Sequence, residues 1–237
     1  MTTLLATAQN CADEIGIVRP SSLVGSSDLT ARRILACAQR EGEALWRAHS
    51  WSALQREYTF STVASTQSYA VPDDWGRPLQ STAWDRSNYR EMRSGISPVE
   101  WQYATSGLVA TTSGFYQLRF LSGPTAGSIF VDPTPASVVS MAIEYIANTW
   151  CESSGGTGQS VWTADTDVCR LDQELFSLGL LWRIKRALGL AYADDRADYD
   201  VQLRAAIKAD LALRPIDLAP QRALPYPNVP EGSWPSS

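Results

Sequence analysis

The hydrophobic period of this chain changes twice along its length, and no other feature limits its fold as strongly. Apolar residues recur at helical spacing up to about His49, alternate at strand spacing through the middle third, and return to helical spacing from about Cys169. Helix and strand periods bury different sets of side chains, so the chain must combine both element types in separate blocks.

In the first block, Leu4, Leu5, Ala8, Cys11, Ala12 and Ile15 make one stripe over residues 3–15, stopped by Gly16 and Pro20. Ser26-Ser27-Asp28 offers N-caps for a second helix to about His49, with Ile34, Leu35, Ala38, Leu45 and Trp46 inward. In the middle block, residues 58–63, 69–71, 82–84, 115–121, 128–131 and 139–147 read as strands, the last burying Ile143, Tyr145 and Ala147 on one face. Ser97-Pro98-Val99-Glu100 has the form of a capping box that opens a short helix. In the last block, Leu171, Leu175, Leu178, Leu181, Trp182, Ala187 and Leu188 form a strong stripe ending at Gly189. A final helix is expected over 194–213, acidic at its start and basic at its end, with Tyr199, Leu203, Ala206, Ile207 and Leu211 inward. Beyond Pro215 the chain is Pro-rich and nonperiodic.

Amphipathic helices must cover one another's stripes, so the expected class is α+β. The architecture predicted is a four-helix bundle with an inserted, mostly antiparallel β lobe and an extended Pro-rich C-terminal tail. The corresponding ranges are 1–50 and 166–214 for the bundle, 51–165 for the lobe and 215–237 for the tail.

Chemistry is sparsely provided. His49 is the sole histidine, and its place at a helix C-terminus suits a cation. No phosphate-binding glycine loop, nucleophile elbow or paired zinc-ligand spacing occurs, so no cofactor and no metal are expected. Asp165, Asp167 and Asp172 form the best acidic cluster, but a calcium loop would need a glycine and a closing Glu at fixed spacing. Capping is the simpler role, with Asp167 placed to cap the third long helix. Cys11, Cys37, Cys151 and Cys169 are expected as buried, unpaired hydrophobes. The net charge of −5 argues against a dedicated nucleic-acid binder. The N-terminus has no basic lead or long apolar run, and no stretch reaches the roughly twenty apolar residues of a membrane span, so a soluble protein made in the cytoplasm is expected.

Nine tryptophans, many beside Arg, Asp or Glu, point instead to packing and contact. Trp46 and Trp182 lie on helix stripes; Trp234 lies in the tail, with no core of its own.

Several segments in order resemble the head-to-tail adaptor (tail accessory factor) family of short-tailed phages. They are Arg19–Ser26, Trp51–Glu57, Trp84-Asp85-Arg86, Ser97–Trp101, Ile143–Asn148, and Leu171–Leu175 with Leu178–Arg183. The resemblance implies a dodecameric ring in the virion, assembled in the host cytoplasm. The ring would sit below the portal protein, continue the DNA channel without specific DNA binding, and carry the tail nozzle or tube and possibly fibres or spikes. By analogy the C-terminal segment, with Pro215, Tyr226, Trp234 and Pro235, would dock on the portal. The β lobe, with Trp75, Trp84 and Arg86, would face the tail. Two other readings stay open: a tail-associated hydrolase using Glu144 with Asp165 or Asp172, and a nonviral scaffold or binding module.

Overall fold

Side-chain oxygens placed just ahead of apolar stripes start the helices. The computed structural model describes residues 2–94, 96–105, 116–121 and 127–212. Helix α1 (Leu4–Ile15) opens at Thr3, whose hydroxyl accepts from the Ala6 amide, and closes at Gly16 in the left-handed conformation. Helix α2 (Leu29–Ala48) opens at Asp28, whose carboxylate accepts from the Ala31 amide. Both follow the stripes read from the sequence.

The strands come next: β1 (Gln55–Ser61), β2 (Ser68–Ala70), β3 (Trp75–Pro78), β4 (Trp84–Asp85) and β5 (Arg90–Glu91). The capping box then forms as expected, Ser97 Oγ accepting from the Glu100 amide and Glu100 Oε2 from the Ser97 amide, and opens α3 (Pro98–Thr105). Strands β6 (Gln117–Leu121), β7 (Ser128–Asp132) and β8 (Ser140–Ala147) complete the lobe, and β9 (Cys151–Glu152), β10 (Gly158–Gln159) and β11 (Val168–Cys169) follow. Every strand pair is antiparallel. Strand β8 is the axis: β1 runs along one edge for seven residues, while β3 and β4 share the other. Strands β2, β7 and β6 form a second sheet, and β10, β9 and β11 a third.

The chain ends with α4 (Gln173–Leu188) and α5 (Ala193–Ala212). Helix α4 packs against α1, α2 and α5. The α+β class therefore holds, with five α-helices and antiparallel sheets among the described residues.

Four expectations need correction. The third long helix starts at Gln173 and not near Cys169, because Val168 and Cys169 pair with β9 as a strand. Its cap is Asp172, not Asp167. Strand β8 does not bury one face only. Met141, Ala142, Ile143, Tyr145, Ile146 and Ala147 are all buried, since Met141 and Ile143 enter a lobe core while Ile146 enters the helical core. In α5 only Tyr199 is fully buried. Leu203, Ala206 and Ile207 are half-buried, and Leu211, in the last turn, is exposed.

Two apolar clusters result. The helical one gathers Leu4, Ile34, Leu45, Phe176, Leu180 and Trp182 with Trp150, Cys151, Trp162 and Cys169 from the β9–β11 segment. The lobe cluster gathers Phe60, Leu118, Ile129, Val131, Met141 and Ile143. All four cysteines are buried and free, as expected. Burial pushes the Cys11 thiol up to about 11 and those of Cys151 and Cys169 up to about 12, so none offers a thiolate at neutral pH.

Packing is very close at Gly42 of α2, where an added Cβ would lie 2.1 Å from the buried Trp150 ring. A rigid indole held on all sides cannot give way by that much. We expect Gly42→Ala to destabilise the fold by about 1–3 kcal/mol despite alanine's better helix propensity, whereas Gly155→Ala, which meets only Ser153 Oγ at 3.8 Å, is near neutral. Urea midpoints measure both; a wild-type midpoint for Gly42→Ala contradicts the packing described.

Candidate interaction surfaces

Next to Gly42, Glu41 carries a carboxylate with no exposed area, and Arg183 of α4 donates to it through Nε at 2.5 Å. Gly179 makes room: a Cβ there would lie 2.1 Å from Glu41 Oε1. Burial raises the Glu41 pKa, while the hydrogen bond and charge of Arg183 lower it. The Tyr199 phenol of α5, buried beside this carboxylate, is raised first by burial and then by the charge of Glu41. The Arg183 and Arg196 guanidinium groups both lie over Trp182, 4.5 and 5.6 Å from the ring centroid. This cluster joins α2, α4 and α5, with Glu41 fully buried and Arg183 partly exposed.

His49 closes α2, and its Nε2 lies 3.0 Å from Asp210 Oδ2 of α5, with Trp51 edge-on to the ring at 5.1 Å. Ser52 also donates to Asp210, so the group ties α5 to the end of α2.

The acidic side chains singled out in the sequence are engaged by hydrogen bonds within the chain, most of them from backbone amides. Asp165 accepts from the Leu23 and Val24 amides, Asp167 from the Thr163 and Ala164 amides, and Asp172 caps α4. Glu144 accepts from Gln55. Among the described residues no cluster of His, Cys, Asp or Glu could hold a metal ion, and no helix is long and apolar enough to cross a membrane.

At the far end of the lobe, where β8 begins, three loops clasp one another. Thr62 Oγ1 donates to the Ser137 carbonyl and accepts from the Val139 amide; the Ser65 amide donates to the Pro135 carbonyl. The Arg86 amide donates to the Ser140 carbonyl, and the Ser140 amide to Ser87 Oγ. In the turn between β4 and β5, buried Asp85 accepts from the Ser87 and Asn88 amides and from Asn88 Nδ2. That turn holds Tyr89 at φ +56°, a conformation costly for a tyrosine, with the side chain 87% exposed. Val63 and Val138 are exposed on the neighbouring loops. A rigid tip with three outward apolar side chains is suited to contact.

Of the lobe residues expected to meet a partner, Trp84 lies half-buried in β4 and Arg86 is exposed, paired with Glu57 at 2.8 Å. Trp75 is half-buried lower in the lobe, stacked on Tyr145 at 4.7 Å and close to Phe120. Trp84 and Arg86 thus lie beside the tip, and Trp75 stiffens the lobe beneath it. Tyr89 went unnoticed in the sequence; the run Asp85-Arg86-Ser87-Asn88 ahead of it is the turn signal that marks it. Pro215, Tyr226, Trp234 and Pro235 lie outside the described residues.

Packed helices thus carry an antiparallel lobe whose tip holds three of the exposed large apolar side chains. The chain belongs to the SU10 adaptor protein family, whose sequence profile matches residues 2–226. It is thus a phage structural adaptor, in agreement with the resemblance of its ordered segments. No curated protein matches the chain.

The Glu41–Arg183 pair has a pH signature. A carboxyl whose pKa is raised in the folded state contributes stability that is present below its ordinary value of about 4.3 and lost as pH rises through the folded value. Arg183 limits that loss. Arg183→Ala should destabilise the protein by about 3 kcal/mol, with a deficit larger at pH 8 than at pH 5. Urea unfolding at the two pH values checks this, and an equal deficit at both contradicts it.

Proposed function

We propose that the chain is a non-enzymatic head-to-tail adaptor that forms a dodecameric ring at the head-tail junction of the virion. In this reading a bundle of α1, α2, α4 and α5 (1–50 and 166–214) is the ring body and the lobe (51–165) is inserted into it. The lobe tip, with Tyr89, Trp84 and Arg86 above the Trp75 stack, faces the tail nozzle or tube. Residues 215–237 dock on the portal protein through Tyr226 and Trp234, flanked by Pro215 and Pro235. DNA passes along the lumen without specific recognition, and assembly takes place in the host cytoplasm.

The observation that carries this reading is the family match across nearly the whole chain. The lobe tip supports it: an exposed tyrosine held in a left-handed turn by a buried aspartate is expensive as packing and useful as an anchor. The acidic side chains of Asp165, Asp167 and Asp172, each bonded to backbone amides, support a part without catalysis. Joining portal to tail is then a matter of complementary surfaces, and a segment that orders on docking would couple ring assembly to the presence of a portal.

Two experiments test it. Deleting 215–237 should leave a folded protein that no longer sediments with portal rings; docking by the truncated chain overturns the portal assignment. Tyr89→Gly removes the anchor while relieving the positive φ, so stability should stay level or rise by about 0.5–1 kcal/mol while portal–adaptor complexes lose their hold on the tail nozzle. Undiminished nozzle binding contradicts the role of the tip.

A further inference from the structure

Two helix faces have no partner among the described residues, and their charges are opposite. Helix α5 is held by polar contacts at both ends, Lys185 to Asp195 at 2.7 Å near its start and Asp210 to His49 and Ser52 near its end, and by Tyr199, Leu203, Ala206 and Ile207 against the helical core. Among its described residues only Tyr199 is fully buried. Its outward face carries Ala193, Ala197, Val201, Ala205 and Ala209, exposed at four-residue spacing. Asp194 and Asp198 stand beside this ridge, exposed and without an ion-pair partner among the described residues.

Helix α2 buries Ala31, Ile34, Ala38, Glu41 and Leu45 and turns Arg32, Arg33, Ala36 and Arg40 outward. These three arginines likewise lack an ion-pair partner among the described residues, and Leu29 at the helix start is 58% exposed. Three free guanidinium groups around a small residue, on a chain of net charge −5, form a local basic patch.

We propose that these faces are the two halves of a head-to-tail contact between copies of this chain, α5 of one copy lying on α2 of the next. The inference rests on the ring reading above and names its surfaces. Small residues at four-residue spacing form a low ridge that lets another helix approach closely. Asp194 and Asp198 supply the anions that Arg33 and Arg40 lack, and guanidinium suits such interfaces because it is weakly hydrated and bonds carboxylates in forked geometry. Because the two faces differ, the contact is heterologous, and it generates a closed ring wherever the rotation between copies closes. A duplex DNA partner would match the arginines of α2 but would be repelled by the acidic start of α5; a second copy matches both faces.

The test uses the full-length chain at high concentration, alone and with portal rings. Ala36→Cys and Ala197→Cys combined in one chain should give a ladder of disulfide-linked oligomers under mild oxidation, while either substitution alone gives none. The native cysteines are buried and do not compete. Arg33→Glu with Arg40→Glu should reduce the ladder on the order of tenfold or more, and adding Asp194→Lys with Asp198→Lys should restore it. The proposal is overturned if no ladder forms under either condition, if a single-cysteine variant gives dimers, or if the second charge reversal fails to rescue the first. Failed rescue with lost retention of duplex DNA would assign α2 to DNA instead. Circular dichroism confirms that these surface variants fold. A chain that forms the ladder but never binds portals sinks the adaptor reading and leaves this contact standing; a chain that binds portals without the ladder does the reverse.

Discussion

The approach of α2 to α4 is the constraint on which the rest of the structure depends. Two consecutive residues of α2 meet opposite demands there. Gly42 lets the Trp150 indole lie against the helix backbone, and Glu41 reaches across to Arg183 over the bare Cα of Gly179. A carboxylate without solvent is tolerable only with its cation in place, so register along α2 and α4 is set by chemistry as well as by shape. Tyr199 brings α5 to the same point, and the Arg183 and Arg196 guanidinium groups lie over the Trp182 ring. Shifting either helix by a turn would strand the charge and collide with the indole.

The lobe is joined to this body with similar economy. Arg77 of β3 donates to the carbonyls of Trp46 and His49, which the end of α2 would otherwise leave unpaired, and its guanidinium lies 5.2 Å from the centroid of the Trp46 ring. Trp46 Nε1 donates to Ala147 at the end of β8. Gly76, at the irregularity in the β3–β8 pairing, lets Trp46 come close, since a Cβ would lie 2.7 Å from its ring. Strand β8 contributes to both cores, Ile146 to the helical one and Met141 and Ile143 to that of the lobe.

What could be read from the sequence was whatever is local. Caps at Asp28 and Ser97, stops at Gly16 and Gly189 and the stripes of α1, α2 and α4 lie within a few residues of the elements they define. What escaped depends on distant partners. Nothing near Glu41 announces Arg183, and nothing near Gly42 announces Trp150. Strands β9, β10 and β11 have two residues each, too few to show a period, so Cys169 read as helix. The double-sided burial of β8 was hidden because Glu144 keeps the alternation alive in a strand otherwise enclosed. At the surface, Trp84 and Arg86 drew notice as residue types, whereas Tyr89 gains its meaning from a backbone angle.

A body whose register is locked by one buried ion pair carries the lobe and leaves surfaces for other molecules. In the proposed function, copies of this chain close into a ring on a portal. Native mass measurement of the full-length chain mixed with its portal rings tests that most directly. Twelve copies per portal ring are predicted; a chain that stays off the portal, or binds at a number unrelated to the portal's symmetry, would contradict the account.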